Sequence, residues 1–272
     1  MTREIPSKKE PLIMGILNVT PDSFFDGGRH NTKEAAIEYA LRMVEEGVDI
    51  IDVGGESTRP YAEEVDLDEE LKRVIPVIEK ISTYSDVFIS IDTYKSKVAR
   101  EACLAGAHMI NDISGLTFDP QMAGIAGELR AHVVIMHTKG TPKNMQENPY
   151  YEDVISEISG FFRKQIENAI QAGILEDRII LDPGIGFGKR VEDNLRILKM
   201  LGEFKKIGRP LLIGTSMKSF IGKVTESILE ERLEGTLASL AVSIMNGADM
   251  LRVHDVKSAQ KVVKLVHAVM ES

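Results

Sequence analysis

Several side chains that can bind or stabilise charge stand where short apolar runs of the chain end. Asp92, Asn111 and Asp182 supply acceptors and an amide, and Lys218 is a cation in the same pattern. Carboxylates in apolar surroundings need partners. A flat heterocycle with an amino group and ring N–H donors would satisfy them, and Lys218 would meet a carbonyl or ring nitrogen. A divalent-metal cluster and an internal salt bridge between Lys218 and one aspartate are open alternatives.

A second set of side chains is cationic and also follows apolar runs. It contains Arg59, Arg252 and His254, with Asn18 in the same pattern. In a chain whose formal net charge is −9, cations at such positions indicate an anionic ligand, and the arginine fork suits phosphate oxygens. Asn18 with a hydrated Mg²⁺ would neutralise a diphosphate without an all-protein cage.

Segment 216–219 is predicted to open a helix, because the apolar residues that follow, Phe220, Ile221 and Val224, have helical spacing. A helix start beside the Ser219 hydroxyl would accept a carboxylate. The pattern therefore predicts three subsites: a pocket for a polar heterocycle, a diphosphate site and a weaker anion site.

The glycine-rich stretch 182–189, DPGIGFGK, is not a nucleotide-binding loop. A Walker A loop needs four residues between its glycines and a Ser or Thr after the lysine, where this chain has Arg190. The glycine spacing also departs from the dinucleotide-binding fingerprint. We expect the glycines to let the backbone approach a flat ligand closely, with Phe187 as a wall of its pocket.

Residues 14–28, MGILNVTPDSFFDGG, combine an apolar strand that ends on Asn18 with a loop of turn-forming residues. Phe24 and Phe25 stand in this loop, where a solvated connection would carry polar side chains. A lid over a reactive intermediate would explain the two rings. Packing of the rings against the body of the protein is the alternative, and the role of Phe25 stays open.

Eight short apolar runs alternate with amphipathic helical patterns over the whole chain. Continuous apolar runs are typical of parallel strands buried on both faces, and eight β–α units in about 250 residues match a TIM barrel. A doubly wound open sheet is the alternative. In a barrel, the polar residues at the carboxyl ends of the strands converge on one face, where barrel enzymes keep their active sites. The predicted strands are 12–17, 49–53, 87–91, 108–110, 132–136, 178–181, 211–214 and 249–253.

Composition sets the remaining expectations. The 272 residues are 43% hydrophobic and 28% charged, which suits a single α/β domain over 1–272, with mobile loops near 19–30 and 55–66. The acidic charge argues against nucleic-acid binding. The sequence shows no signal peptide or membrane span, and the single cysteine, Cys103, suits a reducing compartment. We therefore expect a cytoplasmic protein. Helices at 232–246 and 257–270 carry wide apolar faces and are the expected interface of any oligomer.

The chain resembles the dihydropteroate synthases, pterin-binding TIM-barrel enzymes of folate biosynthesis that sulfonamides inhibit. The stretches that carry the resemblance extend from 12 to 256, in family order and spacing. They are MGILNVTPDSFFDGG, IIDVGGESTRP, ISIDTYKSKVA, MINDISG, ILDPGIGFGK, IGTSMKSFIG and RVHDV. The resemblance implies a homodimeric barrel that joins 6-hydroxymethyl-7,8-dihydropterin diphosphate to 4-aminobenzoate, and gives 7,8-dihydropteroate and diphosphate.

The resemblance also assigns residues to each subsite and a Mg²⁺ cofactor to the diphosphate. The residues expected to carry the chemistry are Asp92, Lys218, Arg252 and His254. The pterin would be held by Asp92, Asn111, Asp182 and Lys218. The diphosphate and Mg²⁺ would be held by Asn18, Thr58, Arg59, Arg252 and His254, with Asn18 on the metal. The aminobenzoate site would be lined by Asp22, Phe24, Pro60, Phe187 and Ser219.

This sequence departs from the family pattern at a few positions. The family usually has Arg where Met217 precedes Lys218, and SFSDGG where this chain reads SFFDGG. Loss of that guanidinium affects the expected affinity for the second substrate more than the pterin site. Two other functions remain to be distinguished: a methyltetrahydrofolate–corrinoid methyltransferase, which has no use for Arg252, His254 and the STRP loop, and a non-catalytic pterin-binding relative.

Overall fold

Eight short parallel strands form the centre of the molecule in a computed structural model that describes residues 3–20, 32–58 and 62–272. Each strand is a run of apolar residues whose side chains are buried on both faces, as the pattern predicts. The strands are β1 Leu12–Asn18, β2 Ile50–Gly54, β3 Phe88–Asp92, β4 Met109–Asp112, β5 His132–Met136, β6 Ile179–Asp182, β7 Leu212–Ile213 and β8 Met250–Val253.

The strand order is β6-β5-β4-β3-β2-β1-β8-β7, and a single parallel bridge between Leu181 and Leu211 joins the two ends. The Leu181 amide also donates to the Pro210 carbonyl at 2.9 Å. The sheet is therefore a nearly closed barrel rather than the open sheet kept as the alternative. Strand β7 is shorter than predicted, because only Leu212 and Ile213 keep ladder pairing with β8.

Asp249, at the amino end of β8, fixes Leu211, the residue that forms the bridge between β6 and β7. Its Oδ2 accepts the Leu211 amide at 2.7 Å, and Lys205 Nζ lies 2.7 Å from the same carboxylate. Asp49 has the equivalent place before β2, where its Oδ2 accepts the Ile13 amide at 2.7 Å. In both cases a carboxylate at the amino end of one strand fixes the backbone of its neighbour.

Helices cover the outside of the barrel, and their apolar faces pack on the outward side chains of the strands. Within the described residues, no helix is long and apolar enough to cross a membrane. Asp66, Asp153 and Asp255 cap three helix starts with side-chain hydrogen bonds. The helices are α1 Thr32–Glu45, α2 Leu67–Tyr84, α3 Ser96–Ala105, α4 Met122–Leu129, α5 Val154–Gln171, α6 Val191–Lys199, α7 Leu201–Lys205, α8 Ser219–Thr225, α9 Leu233–Met245 and α10 Val256–Met270.

The amino end of the barrel is filled with side chains. A cluster inside the strands is packed against Ile5, which comes from the segment before β1. Arg3 and Glu4 of this segment reach the same end: the Arg3 carbonyl lies 3.2 Å from His132 Nε2, and Glu4 is ion-paired with Arg178 at 3.0 Å. The cluster consists of Leu12, Met14, Ile50, Phe88, Met109, Val134, Ile180, Leu212 and Met250.

Candidate active site

The carboxyl ends of the strands bring the predicted polar residues to one mouth of the barrel. Asp92 ends β3 and is in register with Asn111 of β4 on one side and Gly54 of β2 on the other. Asp182 ends β6, and Arg252 lies in β8. Apart from Arg252, which is half-buried, these polar side chains are buried. The structure therefore gathers the acceptors, the amide and one of the predicted cations in a single site.

Arg252 is the cation that binds the aspartates. Its Nε lies 2.6 Å from Asp52 Oδ2, and its Nη2 lies 2.7 Å from Asp92 Oδ2. Asn111 Nδ2 donates to the same Asp52 oxygen at 2.9 Å. Of the alternatives left open by the sequence, a salt bridge does form, but with Arg252 rather than with Lys218. The planar fork explains this choice, because it can contact two carboxylates at once whereas an ammonium acts as a point charge.

Asp52 is completely buried. It was predicted only as one of the polar strand-end residues that converge on the mouth, without a binding role. It is the residue that connects Arg252 to Asn111, so both sides of the pocket depend on it. The signal that could have found it is its position near the end of β2, where a carboxylate follows two isoleucines.

Two buried oxygen atoms of this cluster have no hydrogen-bond partner among the described residues: Asp52 Oδ1 and Asp92 Oδ1. A buried acceptor without a donor is unfavourable, and most such groups in proteins are paired. A bound ligand with N–H donors would satisfy both atoms. As for the metal cluster, no three His, Cys, Asp or Glu side chains in the described ranges are grouped to hold an ion.

Burial changes the acid–base properties of the mouth. It raises the pKa of Asp92 from 3.8 to about 7, against the opposing effect of Arg252. It raises the pKa of Asp182 to about 6, although the Gly184 amide donates to that carboxylate at 2.7 Å. Lys218 shows the converse effect, since burial and the nearby Arg252 lower its pKa to about 8. The pocket thus holds two acids and a base that titrate near neutral pH.

Lys218 lies over the ring of Phe187, with Nζ 4.1 Å from the ring centroid. This is cation–π geometry, in which the face of the ring attracts the ammonium. Phe187 is nearly buried and packs with Ile113, Met136 and Met145. The predicted wall residue is therefore in the mouth, beside the predicted pterin-binding lysine.

The glycines around Phe187 have a structural reason that the sequence analysis did not foresee. Gly184, Gly186 and Gly188 have φ of 69°, 82° and 62°, which side-chain-bearing residues rarely adopt. A Cβ on Gly184 would lie 2.0 Å from the His137 carbonyl oxygen, and one on Gly186 would lie 3.2 Å from Lys218 Cδ. The close approach seen here is to the protein itself, and approach to a ligand remains a prediction.

The residues predicted to bind an anion lie around the same mouth. His254 follows β8, and its Nδ1 is 2.9 Å from Ser216 Oγ. Asn18 ends β1, and its Oδ1 would be 3.8 Å from a Cβ on Gly54, so this glycine leaves room beside the amide. Thr58 is half-buried beyond β2.

Ser219 is exposed and begins α8, so this helix starts at the end of segment 216–219. Ser216 itself is buried in the turn that precedes the helix, and it also accepts the His254 amide at 3.3 Å. This role of Ser216 in positioning His254 was not predicted from the sequence.

Met217, which replaces the usual family arginine, faces α9. Its backbone has φ of 59°, its amide donates to Thr236 Oγ1 at 3.1 Å, and its sulfur lies 3.9 Å from the same oxygen. Arg232 Nη1 donates to the Met217 carbonyl at 3.2 Å. The left-handed turn at 217 is therefore held from α9. Several other predicted residues lie outside the described residues, namely Asp22, Phe24, Phe25, Arg59 and Pro60.

A family model described as "Pterin binding enzyme" matches residues 14–254, a range that includes the carboxyl ends of all eight strands. The fold and this match set the class of the protein: a pterin-binding enzyme built on a TIM barrel.

Characterised proteins narrow the assignment. Dihydropteroate synthases from Synechocystis and Escherichia coli are each 48% identical to this chain, over 96% of its length and over 90% and 93% of their own. The Yersinia pestis enzyme with a sulfonamide drug complex superposes with a TM-score of 0.92 at 44% identity, covering 97% of this chain and 95% of that one. The Xanthomonas albilineans enzyme with 4-aminobenzoic acid gives 0.92 at 43% identity, covering 97% and 94%. The chain therefore belongs to the dihydropteroate synthase family.

Proposed function

We propose that this protein condenses 6-hydroxymethyl-7,8-dihydropterin diphosphate with 4-aminobenzoate to give 7,8-dihydropteroate and diphosphate. The observation that carries the proposal is a pair of buried oxygens at the barrel mouth, Asp52 Oδ1 and Asp92 Oδ1, which have no hydrogen-bond partner in the described part of the chain. They lie in the same mouth as Asn111 and Lys218. A pterin edge presents amino and ring N–H donors, which these acceptors need. Relatives solved with 4-aminobenzoic acid and with 7,8-dihydropteroate support the same substrates.

The pterin is held by Asp92, Asn111, Asp182 and Lys218 in this proposal. The carboxylates accept from its N–H groups, and Lys218 donates to a ring nitrogen or carbonyl. The dihydropterin ring is electron-rich, so it can carry positive charge that develops on its methylene group. Asp92 and Asp182 stabilise that charge, because fixed negative groups in a dry site act strongly on a developing cation.

The diphosphate is placed beside Arg252, His254, Asn18 and Thr58, with Arg59 as a further contact. Ser216 Oγ accepts the His254 amide, which leaves the serine hydroxyl hydrogen for Nδ1. We assign the His254 proton to Nε2 on this network, where it is a donor for a phosphate oxygen. Arg252 uses Nε and Nη2 on the aspartates, and its Nη1 has no partner among the described residues.

The residues around Asn18 are suited to Mg²⁺. The amide oxygen of Asn18 would lie 3.8 Å from a Cβ on Gly54, so an oxygen donor faces a space that has no side chain, while the neighbouring Asp92 Oδ2 is paired with Arg252. Oxygen ligands are those that Mg²⁺ prefers, and it usually keeps several waters. Asn18 would hold the ion, which when bound would neutralise negative charge on the departing diphosphate.

4-Aminobenzoate is placed against Phe187 and Ser219, with Asp22, Phe24 and Pro60 completing its site. Bond changes follow directly. The methylene C–O bond breaks and its electron pair leaves with the diphosphate, while the amine nitrogen forms the new C–N bond and then loses one proton. No covalent bond to the enzyme is required. An aryl amine is a weak nucleophile, so the stabilisation of the leaving group and of the methylene carries the rate.

The test is to incubate the purified protein with both substrates and Mg²⁺, and to measure diphosphate and dihydropteroate separately. We expect both products in equal amounts, loss of both with excess chelator, and recovery when Mg²⁺ is added back. Failure to release diphosphate in the presence of 4-aminobenzoate would refute the proposal. Pterin binding without turnover would support a non-catalytic relative, and methyl transfer from methyltetrahydrofolate to a corrinoid would support the methyltransferase.

We also propose that two copies associate through α9 and α10. Met245 is 65% exposed on α9, and Leu265 and Val269 are 68% and 62% exposed on α10. Exposed apolar residues on two adjacent helices favour a protein interface. Light scattering should give twice the monomer mass, Met245→Glu should halve it, and the control Leu104→Glu, at an equally exposed position on α3, should leave it unchanged.

The cytoplasm is the proposed location. Cys103 is half-buried, and burial raises the pKa of its thiol to about 12, so the thiol is unreactive as a nucleophile. A cell fractionation with a tagged chain, in which the protein separates with cytoplasmic markers, is the measurement that tests this location.

A further inference from the structure

Lys189 is a buried cation that has no place in the reaction described above. Its ammonium donates to the Phe187 carbonyl at 2.9 Å and to the His137 carbonyl at 3.2 Å, and it lies 3.1 Å from His137 Nδ1. Only 4% of the residue is exposed. Lysine is rarely buried so completely unless its donors are satisfied. Here three acceptors, all from two residues, occupy the three N–H donors.

These contacts connect the ends of two strands. His137 directly follows β5, and its ring stands edge-on to Phe161 with centroids 5.0 Å apart, so it is held from α5. Phe187 belongs to the loop between β6 and α6. Lys189 therefore connects the glycine-rich β6–α6 loop to His137, which is already fixed by its packing against Phe161.

Phe187 needs such a tie because of its neighbours. Gly186 and Gly188 flank it with φ of 82° and 62°, and glycine restricts the backbone less than any other residue. Further contacts hold the same loop: Gln146 donates to the Gly186 carbonyl at 2.7 Å and Tyr151 to the Gly188 carbonyl at 2.8 Å. Lys189 is the one of these three donors that contacts the Phe187 backbone itself.

The ring of Phe187 in turn supports Lys218, whose ammonium lies 4.1 Å from the ring centroid. We propose that Lys189 is a positioning residue, which acts through Phe187 to hold the Lys218 ammonium at the barrel mouth. The consequence for catalysis rests on the proposed function, in which Lys218 binds the pterin. The positional claim does not, and it is measured without substrate.

The direct test observes Lys218 by NMR in protein labelled with ¹³Cε-lysine. Protons near the face of an aromatic ring are shifted upfield, and the Lys218 resonance is the one that disappears in Lys218→Arg. In Lys189→Met, which keeps the length of the side chain and removes its donors, we expect this resonance to lose at least about half of its upfield shift, since the ring contact acts over only a few ångströms. The control Lys205→Met breaks a half-exposed ion pair with Asp249 and should leave the resonance in place.

A second variant guards against misfolding of Lys189→Met. His137→Phe removes the side-chain acceptor of Lys189 and keeps an aromatic ring against Phe161. We expect a smaller shift of the Lys218 resonance in the same direction. An unchanged Lys218 resonance in every folded variant would overturn the proposal, whether or not the protein proves to be a dihydropteroate synthase.

Kinetics supply the readout that a merely structural lysine would not give. If Lys189 acts through Phe187, the two substitutions are coupled, and Lys189→Met should cost about tenfold in kcat/KM in the parent but less than about twofold in a Phe187→Leu background. Equal losses in both backgrounds would mean that Lys189 acts by another route, and would count against the proposal.

Discussion

The arginine in β8 shows how single residues set the character of the site. Arg252 contacts Asp52 and Asp92 at 2.6 and 2.7 Å, so one positive charge is shared by two buried carboxylates. Removing Arg252 would leave two buried carboxylates without their cation, which is strongly unfavourable, whereas removing one carboxylate would leave Arg252 paired with the other. The excess of negative charge, together with Asp182, is directed at whatever binds in the mouth. A ligand that becomes positively charged during its reaction is stabilised there.

Asp92→Asn tests this charge directly. The amide keeps the shape and one acceptor but loses the negative charge that faces the developing cation, so we expect kcat/KM to fall by about 10²- to 10³-fold with the fold intact by circular dichroism. The control is Asp86→Asn, an exposed carboxylate before the opposite end of β3, which should be neutral. A variant at 92 that turned over like the parent would refute the electrostatic role.

Arg252→Ala separates binding of the diphosphate from binding of the pterin. We expect the Kd of the pterin diphosphate to rise about 100-fold, since charge-assisted hydrogen bonds are worth about 1.5–3 kcal/mol each, and the Kd of pteroate to rise much less. Arg209→Ala, which breaks an ion pair with Glu176, is the control for loss of an arginine. Calorimetric titration measures both constants, and equal losses would indicate a structural arginine.

The pKa values of the buried acids predict a pH dependence of activity. Asp92 and Asp182 titrate near 7 and 6, and the reaction needs both as carboxylates. We therefore expect kcat/KM to fall as the pH is lowered through 7 to 6, and a profile of kcat/KM against pH measures this limb in the free enzyme. In Asp182→Asn, the acidic side of the profile should depend on one ionisable group instead of two.

The free energy of unfolding should change with pH in the opposite direction to kcat/KM. Because folding raises these pKa values above 3.8, the native protein binds more protons than the unfolded chain between about pH 4 and 7. Urea unfolding should therefore show the contribution of these groups to stability decreasing as the pH rises through that window. A contribution that increased with pH would contradict the assignment.

At the scale of elements, the β6–α6 loop gives a test with a close control. Gly186 and Gly208 have φ of 82° and 81°, but only Gly186 has a neighbour, since a Cβ there would approach Lys218 Cδ to 3.2 Å and nothing lies within 4 Å of one on Gly208. Both alanine variants should lose about 1–2 kcal/mol in urea unfolding, the ordinary strain of a left-handed residue. Gly186→Ala alone should also raise KM for the pterin, because it displaces Lys218.

The elements also show what the sequence could predict. Each predicted strand is present, because a continuous apolar run in a β–α series has few other ways to be buried. Strand ends were predicted one residue short at Asn18, Gly54, Asp92 and Asp182 and two residues short at Asp112, since a polar residue or glycine suggested a loop where the backbone still continues the strand. The predicted strand ends in turn identified the residue types that lie at the mouth of the barrel.

Contacts between distant elements could not be predicted in the same way. Arg252 and Asp52 are 200 positions apart, and their contact depends on closure of the barrel, which periodicity does not determine. Residue types alone indicated Lys218 as the salt-bridge partner of an aspartate and assigned Arg252 to an anion, whereas the structure pairs Arg252 with Asp52 and Asp92. The tie from Lys189 to Phe187 is also invisible in the sequence, because it depends on left-handed glycine conformations.

On the scale of the whole molecule, closure depends on a short seam. Asp249 accepts the Leu211 amide there at 2.7 Å, and Asp49 makes the equivalent bond to Ile13 beside a β1–β2 ladder with five paired positions. Both Asp249→Ala and Asp49→Ala should lose about 1–3 kcal/mol, because each leaves a buried amide without its acceptor. Only Asp249→Ala should speed amide exchange in β7 by more than about tenfold, as local opening would allow. Equal protection of β7 in both variants would show that the seam does not depend on Asp249.

The filled amino end of the barrel has a consequence for how substrates enter the site and products leave it. Among the described residues, Ile5 packs on the cluster of side chains that fills the amino end of the barrel, so we expect reactants and products to use the mouth at the other end. The carboxylates proposed to accept the pterin are buried in that mouth, whereas Ser219 is exposed. An aminobenzoate bound first at the rim would obstruct the entry of the pterin. We therefore expect a compulsory order of binding in which the pterin diphosphate enters before 4-aminobenzoate.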